Sequence, residues 1–510
     1  MALARSVADL EALAGSVLCV GLPDATLSAE TQAELAALGP GAIVLFARNV
    51  STLGATRTLV ARARDAIGGT APALACVDQE GGRVVRLRFA DEPMPSMLAL
   101  GATRDVALAE RAGVRLANDL RAIGANVNFA PVLDLGLEPD STLIGTRSLG
   151  ADPDTVAALG VALVAGMQGR SVAATPKHFP GHGATAVDSH VALPVVTADE
   201  RTLRARELVP FAAAFAAGAR AVMTAHVVVP AFDPDRPATL SPRILGDLLR
   251  NELGFRGVCF TDCLMMDAIA RAPGTAQGAV LALGAGADVA VISHDLQLAR
   301  ASRDAIVSAV RAGTLSLERL EEAADRVAHL RAWAAPAAEP IEPIEDDLAR
   351  ETARRAITVL RGRARVDPGQ PITIVSFEGA VADGIAGGDA KRPSLSLALR
   401  RRRVRSELLR VALDPDEAML ETLLEVAQAQ GDRQFVIVAR RAHRHAAQQR
   451  AIDGLLDVAP DAIVVSALEP FDVAVLSRAH TLVCTYGDEV ANTEALADAL
   501  MGDWPKRRNL

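Results

Sequence analysis

The chain of 510 residues is predicted to be an α/β protein in which a large β/α barrel precedes a smaller α/β/α sandwich. Three observations support this fold class. Short apolar runs rich in β-branched residues recur from residue 16 to residue 292, with helical stretches between them, as in parallel β/α units. A stretch rich in Pro, Ala and Glu follows residue 334. A second, shorter series of β/α units comes after it.

The first series contains eight candidate strands. They lie around residues 16–20, 42–46, 73–77, 126–129, 172–174, 219–223, 257–260 and 288–292. Eight is the number of strands that closes a TIM-like (β/α)8 barrel. We therefore expect a barrel domain over residues 1–334, a linker over 335–350 and a sandwich domain over 351–510.

The second series has strand candidates at residues 372–376, 435–438, 462–466 and 481–484, with a helix over 417–429. This alternation predicts an open sheet covered by helices on both faces. A run of arginines occupies positions 400–403 and 405 of this domain. We interpret it as a solvated helix face, with anion binding as the alternative.

Composition restricts the function classes. Half of the residues are hydrophobic, yet charged residues and glycines interrupt every apolar run before it reaches membrane-spanning length. Asp9 and Glu11 lie where a secretory signal needs an uncharged core, so we expect a cytoplasmic protein without a membrane partner. The five cysteines lack metal-ligand or redox spacing. A net charge of -9 argues against a nucleic-acid partner.

Polar side chains follow the predicted strands at the point where each strand ends. In a (β/α)8 barrel the carboxyl ends of the strands open onto one face, where active sites lie. The alternative is that some of these groups only cap strand ends. The residues concerned are Asp78, Asn128, Asp134, Lys177, His178, His226, Asp262, Ser293 and His294.

The stretch TPKHFPGHGATAVDSH, residues 175–190, contains three of the nine histidines and has three possible interpretations. It can be a solvated connection. It can be a metal site, although Pro180 and Gly181 exclude the helix that a His-x3-His zinc pair requires; the available ligands are His178, His182, Asp188 and His190. It can also serve proton transfer, with the Asp188 carboxylate orienting the imidazole of His190. We favour proton transfer.

Asp262, in GVCFTDCLMMDA, comes directly after an apolar strand. It can be the N-cap of the next helix or a nucleophile held rigidly at the barrel mouth. Asp267, four residues later, is expected to be structural.

Arginines are the other candidate binding residues. Arg83, Arg86 and Arg88 follow the Gly81-Gly82 turn, and Arg147 lies in LIGTRSLG. An inward-facing guanidinium can bind an anionic or hydroxyl-rich molecule through its fork of donors.

Taken together, these motifs resemble glycoside hydrolase family 3, and within it the β-N-acetylglucosaminidase branch. The sequence KHFPGHG followed by DSH is very specific to that branch. The second domain is similar to the family only in layout. The matching segments are GAIVLFARN (41–49), VDQEGGRVVR (77–86), NFAPVLD (128–134), GTRSLGADP (145–153), KHFPGHG (177–183), DSH (188–190), AVMTAHVVVPAFD (221–233) and FTDCLMM (260–266).

The resemblance implies a retaining, two-step hydrolysis of a terminal β-linked N-acetylglucosamine, such as that of cell-wall fragments. Asp262 would be the nucleophile, and His190 assisted by Asp188 would be the general acid and base. No metal or organic cofactor is implied. The positions that match the sugar-binding residues of the family are Asp78, Arg86, Arg147, Lys177 and His178.

Two departures from the family pattern leave the identity of the sugar open: Cys263 after the nucleophile position, and Ser293-His294 at the end of the eighth strand. Aromatic residues make up only 3% of the chain, which favours a pocket for one sugar over a long stacking cleft. Two alternatives remain: a phosphorylase using the same histidine, and a catalytically silent sugar-binding barrel.

Overall fold

The structure, a computed structural model, describes residues 6–89, 92–185, 193–344, 346–379, 394–431 and 433–502. Each of the eight predicted barrel strands is present, with bounds shifted by a few residues. The strands of the first domain are β1 Leu18–Gly21, β2 Ala42–Leu45, β3 Leu74–Val77, β4 Gln79–Gly81, β5 Val84–Val85, β6 Val127–Asn128, β7 Ala173–Ala174, β8 Ala221–Met223, β9 Val228–Val229, β10 Asp233–Pro237, β11 Val258–Cys263 and β12 Val289–Ile292.

Eight parallel strands form the barrel in the order β7-β6-β3-β2-β1-β12-β11-β8. The segment that follows β7 closes the seam against β8, through a parallel bridge between Phe179 and Thr224. The Phe179 amide donates to the Met223 carbonyl at 2.8 Å, and the Ala225 amide donates to the Phe179 carbonyl at 2.7 Å. The two antiparallel pairs, β4-β5 and β9-β10, lie outside the barrel sheet.

The barrel strands are apolar on both faces because both faces are covered. In β2, Ile43 and Leu45 pack against the helical layer, whereas Val44 packs with Phe129 and Phe260 inside the barrel. The α-helices of this domain are α1 Val7–Ser16, α2 Ala29–Leu38, α3 Leu53–Ile67, α4 Met97–Thr103, α5 Val106–Arg121, α6 Pro153–Gln168, α7 Glu200–Ala205, α8 Leu208–Ala216, α9 Asp267–Ala270, α10 Thr275–Ala285, α11 Leu296–Arg311 and α12 Leu317–Ala334. A π-helix, Arg243–Glu252, lies between β10 and β11.

The second domain is a six-stranded sheet in the order β13-β18-β17-β16-β14-β15, parallel except for β13. Helices α13, α14 and α17 cover one face, and α15 and α16 cover the other. The predicted fold class is therefore confirmed. The elements are α13 Leu348–Ala356, β13 Thr358–Arg361, β14 Ile372–Glu378, α14 Leu395–Arg401, β15 Ser406–Ala412, α15 Glu417–Ala429, β16 Gln434–Ala439, α16 Ala446–Val458, β17 Ile463–Ser466, β18 Thr481–Cys484 and α17 Val490–Leu500.

Two features differ from the expectations for this domain. Strands β13 and β15, at the two edges of the sheet, were not predicted. The arginine run is also not simply solvated, because Arg401 and Arg402 each donate to Glu494 of α17 at 2.7 Å. None of the helices in the described ranges is both long enough and apolar enough to cross a lipid bilayer.

Candidate active site

A cavity of about 510 Å³ opens at the carboxyl ends of the barrel strands. The strand-end prediction is met for six of its nine residues, which line this cavity, whereas Asn128, Asp134 and His226 are not among the lining residues. Its charged and polar lining residues are Arg48, Asp78, Glu80, Arg86, Arg147, Lys177, His178, His182, Asp262, Cys263, Asp267, Ser293 and His294.

Four charged side chains, of which Asp78 is partly exposed and the other three are buried, form one wall of the cavity. Lys177 Nζ lies 2.7 Å from Asp78 Oδ1 and 2.6 Å from Glu80 Oε1. Arg147 donates from Nε and Nη2 to the two carboxylate oxygens of Glu80, each at 2.8 Å. Two cations and two carboxylates therefore neutralise one another, and their side chains are held rigid before any ligand binds.

Glu80 is the centre of this wall. Burial alone would raise the pKa of its carboxyl, but Arg147 and Lys177 hold that pKa well below its usual range. Burial would conversely lower the pKa of the Lys177 ammonium, and Asp78 and Glu80 raise it instead. Glu80 and Lys177 are consequently charged at neutral pH, and Glu80 likewise raises the pKa of the Arg147 guanidinium.

His178 is oriented by Asp134. The Nδ1 atom of His178 lies 2.6 Å from Asp134 Oδ2, and the same carboxylate accepts from the backbone amides of His178 at 3.1 Å and of His182 at 2.6 Å. Burial raises the pKa of the Asp134 carboxyl and His178 lowers it more, so that pKa is below its usual value. With Nδ1 occupied, Nε2 is the ring nitrogen of His178 available to a molecule in the cavity.

Asp262 lies near the end of β11 and lines the cavity. Its Oδ1 accepts from the Cys263 amide at 2.7 Å. The N-cap interpretation of Asp262 is wrong, because the next helix, α9, begins at Asp267 and its N-cap is Met266. Asp267 does pair with Arg271 one turn along at 2.6 Å, in line with the structural role expected for it, although it also reaches the cavity.

A chain of polar groups lies beside Asp262. Cys263 Sγ is 2.7 Å from Ser293 Oγ, which is 2.7 Å from His294 Nδ1. On the other side, His226 Nε2 is 3.0 Å from the Cys263 carbonyl oxygen. His226 and Ser293 thus contact the backbone and side chain of Cys263, the residue next to Asp262, and His294 contacts Ser293.

The candidate arginines divide by role. Arg86 lines the cavity, and its Nε has no hydrogen-bond partner within the part of the chain that is described. Arg83 instead donates to the carbonyls of Thr142 and Leu143 at 2.7 and 2.5 Å, so it supports the loop that leads to Arg147.

Sequence reasoning missed two residues. Glu80 lies two positions after Asp78 in VDQEGG, a spacing that places both side chains on one side of an extended segment. Arg48 follows β2, and it donates from Nη2 to the Ser293 carbonyl at 2.5 Å and from Nε to the Leu22 carbonyl at 2.9 Å. Arg48 could have been recognised by the same rule as the other strand-end residues, because it is a charged residue that closely follows β2.

Asp188 and His190 lie outside the described residues, so their predicted role stays a prediction. His182 is described: burial lowers the pKa of its imidazole to about 4, and Thr185 Oγ1 lies 2.7 Å from its Nδ1. Within the described ranges, no group of three or more His, Cys, Asp or Glu side chains is arranged to hold a metal ion.

Comparison with known proteins identifies the family of the chain. The family model described as "Glycosyl hydrolase family 3 N terminal domain" matches residues 6–330. A β-hexosaminidase of Stenotrophomonas maltophilia is 42% identical over 284 residues, which are 54% of this chain and 83% of that protein. A β-hexosaminidase of Nitrosomonas eutropha is 38% identical over 284 residues, 54% of this chain and 80% of that protein.

A solved structure extends the similarity to both domains. The glycoside hydrolase family 3 β-N-acetylglucosaminidase from Paenibacillus sp. superposes with a TM-score of 0.89 at 33% identity, covering 98% of each chain. The match of the family model over the whole barrel, together with the cavity at its mouth, establishes that this chain belongs to glycoside hydrolase family 3 and is a glycosidase.

Proposed function

We propose that the chain is a retaining β-N-acetylhexosaminidase that releases terminal β-linked N-acetylglucosamine. The observation that carries the proposal is that Asp262 and the wall of Asp78, Glu80, Arg147 and Lys177 line one cavity. A volume of about 510 Å³ suits a small ligand buried on most sides, which fits an exo-acting enzyme that takes a single terminal sugar. The names of the similar β-hexosaminidases agree with this substrate class.

In the proposed first step, Asp262 attacks the anomeric carbon as His190 donates a proton to the leaving glycosidic oxygen. A covalent glycosyl-enzyme forms on the Asp262 carboxylate, and the aglycone departs. In the second step His190 takes a proton from water, which attacks the anomeric carbon and releases Asp262. Asp188 holds the imidazole and stabilises its cationic form.

The charged wall positions the sugar. Asp78, Lys177 and Arg147 offer both acceptors and donors to hydroxyl groups, and His178 offers Nε2. Since their mutual ion pairs already fix them, little reorganisation accompanies binding. Arg86 supplies a further donor toward the hydroxyls or the N-acetyl group.

A second candidate is a phosphorylase that uses the same residues, with inorganic phosphate in place of water. The Arg86 guanidinium, which lines the cavity with Nε unbonded in the described structure, favours this alternative because it can bind an oxyanion. Product analysis of an aryl N-acetylglucosaminide reaction with and without phosphate distinguishes the two: a sugar 1-phosphate appears only for a phosphorylase.

Turnover of that aryl substrate also tests the leading proposal. We expect activity to collapse in Asp262→Asn and to fall steeply in His190→Ala. Unchanged activity in both variants would overturn the assignment. Sugar binding by calorimetry without any turnover would instead indicate a catalytically silent binding barrel.

The proposed natural substrates are cell-wall (peptidoglycan) fragments, and the proposed compartment is the cytoplasm. Release of N-acetylglucosamine from purified muropeptides tests the first statement. Fractionation of cells that produce the protein, followed by immunodetection, tests the second.

A further inference from the structure

The second domain contacts the barrel at several places, one of which is a loop of the cavity rim. We call residues 137–147 the rim loop; it ends in a turn, Gly145–Arg147, that carries Arg147. His443 of the second domain places Nε2 3.0 Å from the Pro139 carbonyl oxygen of this loop. Glu469 of the same domain lies at the other end of the loop, against Gly145.

Glu469 packs directly on the turn. A Cβ atom added to Gly145 would lie 2.2 Å from Glu469 Oε1, so the carboxylate occupies the place of a side chain at this residue. Glu469 is only 4% exposed, and Arg441 donates to its two oxygens at 3.1 and 3.2 Å. Burial alone would raise the pKa of Glu469, but Arg441 and Arg83 lower it, so the carboxylate is charged.

His443 is held equally firmly. Its Nδ1 lies 2.7 Å from Asp472 Oδ1, and its Nε2 faces the Pro139 carbonyl oxygen. Both partners are acceptors, so both bonds form together when the ring is an imidazolium. Burial alone would lower the pKa of His443, and the bonds to Asp472 and Pro139 raise it instead.

The rim loop connects these two contacts to the charged wall of the cavity. Arg147 Nη1 donates to the Leu143 carbonyl at 3.0 Å while its other nitrogens hold Glu80. The Leu143 carbonyl also accepts from Arg83 of the β4-β5 hairpin at 2.5 Å. Leu143, Ile144 and Val84 form a small apolar cluster between the loop and that hairpin.

We propose that Glu469 and His443 are positioning residues of the second domain, which fix the sugar-binding guanidinium of Arg147 by clamping the two ends of the rim loop. The inference rests on the proposed function, because it takes Arg147 as a sugar ligand. It gives the second domain a role in substrate binding although none of its described residues lines the cavity.

A contact that merely joins the domains would change stability and leave the kinetics of the folded enzyme alone. A positioning contact that acts through Arg147 has a different signature. Its loss raises KM and lowers kcat/KM, and the loss disappears once Arg147 is itself altered, since residues that act through one another are not additive.

The test is a double-mutant cycle on kcat/KM for an aryl β-N-acetylglucosaminide with the full-length protein. Glu469→Gln and His443→Gln are each made in the wild-type and Arg147→Lys backgrounds. Matched controls are Glu407→Gln, from an exposed pair with Arg433, and His445→Gln, from a pair with Asp414. Melting temperatures of all variants separate lost folding from lost positioning.

We expect Glu469→Gln and His443→Gln to lower kcat/KM roughly tenfold, mainly through KM, in the wild-type background and less than about twofold in Arg147→Lys. The controls should match wild type. Equal losses in both backgrounds, or kinetics like those of the controls, would overturn the positioning role while leaving the proposed function standing. Absence of turnover by the wild-type protein would overturn both.

Discussion

Arg147 and Glu80 face each other fork to fork, with both nitrogen-oxygen distances at 2.8 Å and both side chains almost fully buried. Such a pair is costly to break, because removing one partner leaves the other charge buried without compensation. Glu80 also binds Lys177, so it connects the two cations of the charged wall.

Glu80→Gln should therefore destabilise the protein by about 3 to 5 kcal/mol and lower kcat/KM for the aryl substrate. Urea unfolding measures the first effect and steady-state kinetics the second. Glu407→Gln, which breaks an exposed pair, should cost at most about 1 kcal/mol. Equal destabilisation of the two variants would contradict the part assigned to Glu80.

We expect His182 to make the folded protein less stable at acid pH. The pKa of its imidazole is lowered from 6.5 to about 4 in the folded state, so between these values the unfolded chain binds a proton that the folded chain does not. Stability from this residue is complete above pH 6.5 and falls by about 3 kcal/mol as pH drops to 4. The free energy of unfolding of His182→Gln should therefore depend less on pH between 4 and 6.5 than that of the wild type. The same pH dependence in both proteins would refute the lowered pKa of His182.

Glu489 lies beside Gly82 of the β4-β5 hairpin. We expect it to make the protein less stable as pH rises, the opposite of the effect of His182. Burial and the neighbouring Asp488 raise the pKa of its carboxyl from 4.5 to about 8, although Arg88 and the Ser96 amide oppose the shift. The folded chain holds a proton that the unfolded chain releases, so stability falls as pH rises from 4.5 to about 8. Glu489→Gln should melt higher than wild type at pH 8.5 and close to it at pH 5; a gain of equal size at both would count against the raised pKa.

Cys263 should react slowly with thiol reagents despite lining the cavity. Burial raises the pKa of its thiol although Ser293 lowers it, and the thiolate is the reactive form. We expect iodoacetamide at pH 7 to leave activity intact over times that alkylate a free thiol, and Cys263→Ser to retain activity within about threefold. Mass spectrometry of the treated enzyme locates any label; rapid modification of Cys263 would show that its thiol is ionised.

The barrel was predictable because each of its strands is buried on both faces and therefore reads as an apolar run. Strands β13 and β15 were not, because edge strands carry polar residues: β13 is Thr-Val-Leu-Arg, and β15, directly after the arginine run, has only Ser406 and Val411 buried. In these segments the sheet is specified by pairing with a neighbour, which a linear pattern does not contain.

The site was predictable where a residue type is unusual for its place. Lys177 and Asp78 were recognised because charged residues are unusual directly after a buried strand. Glu80 was not recognised, because it lies between Gln79 and a Gly-Gly turn in the sequence. The β4-β5 hairpin brings it to Arg147 and Lys177. The N-cap alternative for Asp262 failed because β11 continues to Cys263 and the next helix begins later than the sequence indicated. The local sequence pattern identifies candidate site residues, whereas ion pairs between residues distant in the sequence determine which of them come together.

The seam of the barrel has an evolutionary consequence. Pro176 and Phe179 exchange hydrogen bonds with Met223 and Ala225, so the stretch that presents Lys177 and His178 also completes the cylinder. Insertions or deletions between positions 175 and 179 would break this strand pairing and also displace Lys177 and His178 from the cavity. The next pairing of the described chain on this side is the bridge from Val195 to Val228, so a change of length between Pro180 and Pro194 would leave the hydrogen bonds of Phe179 in register.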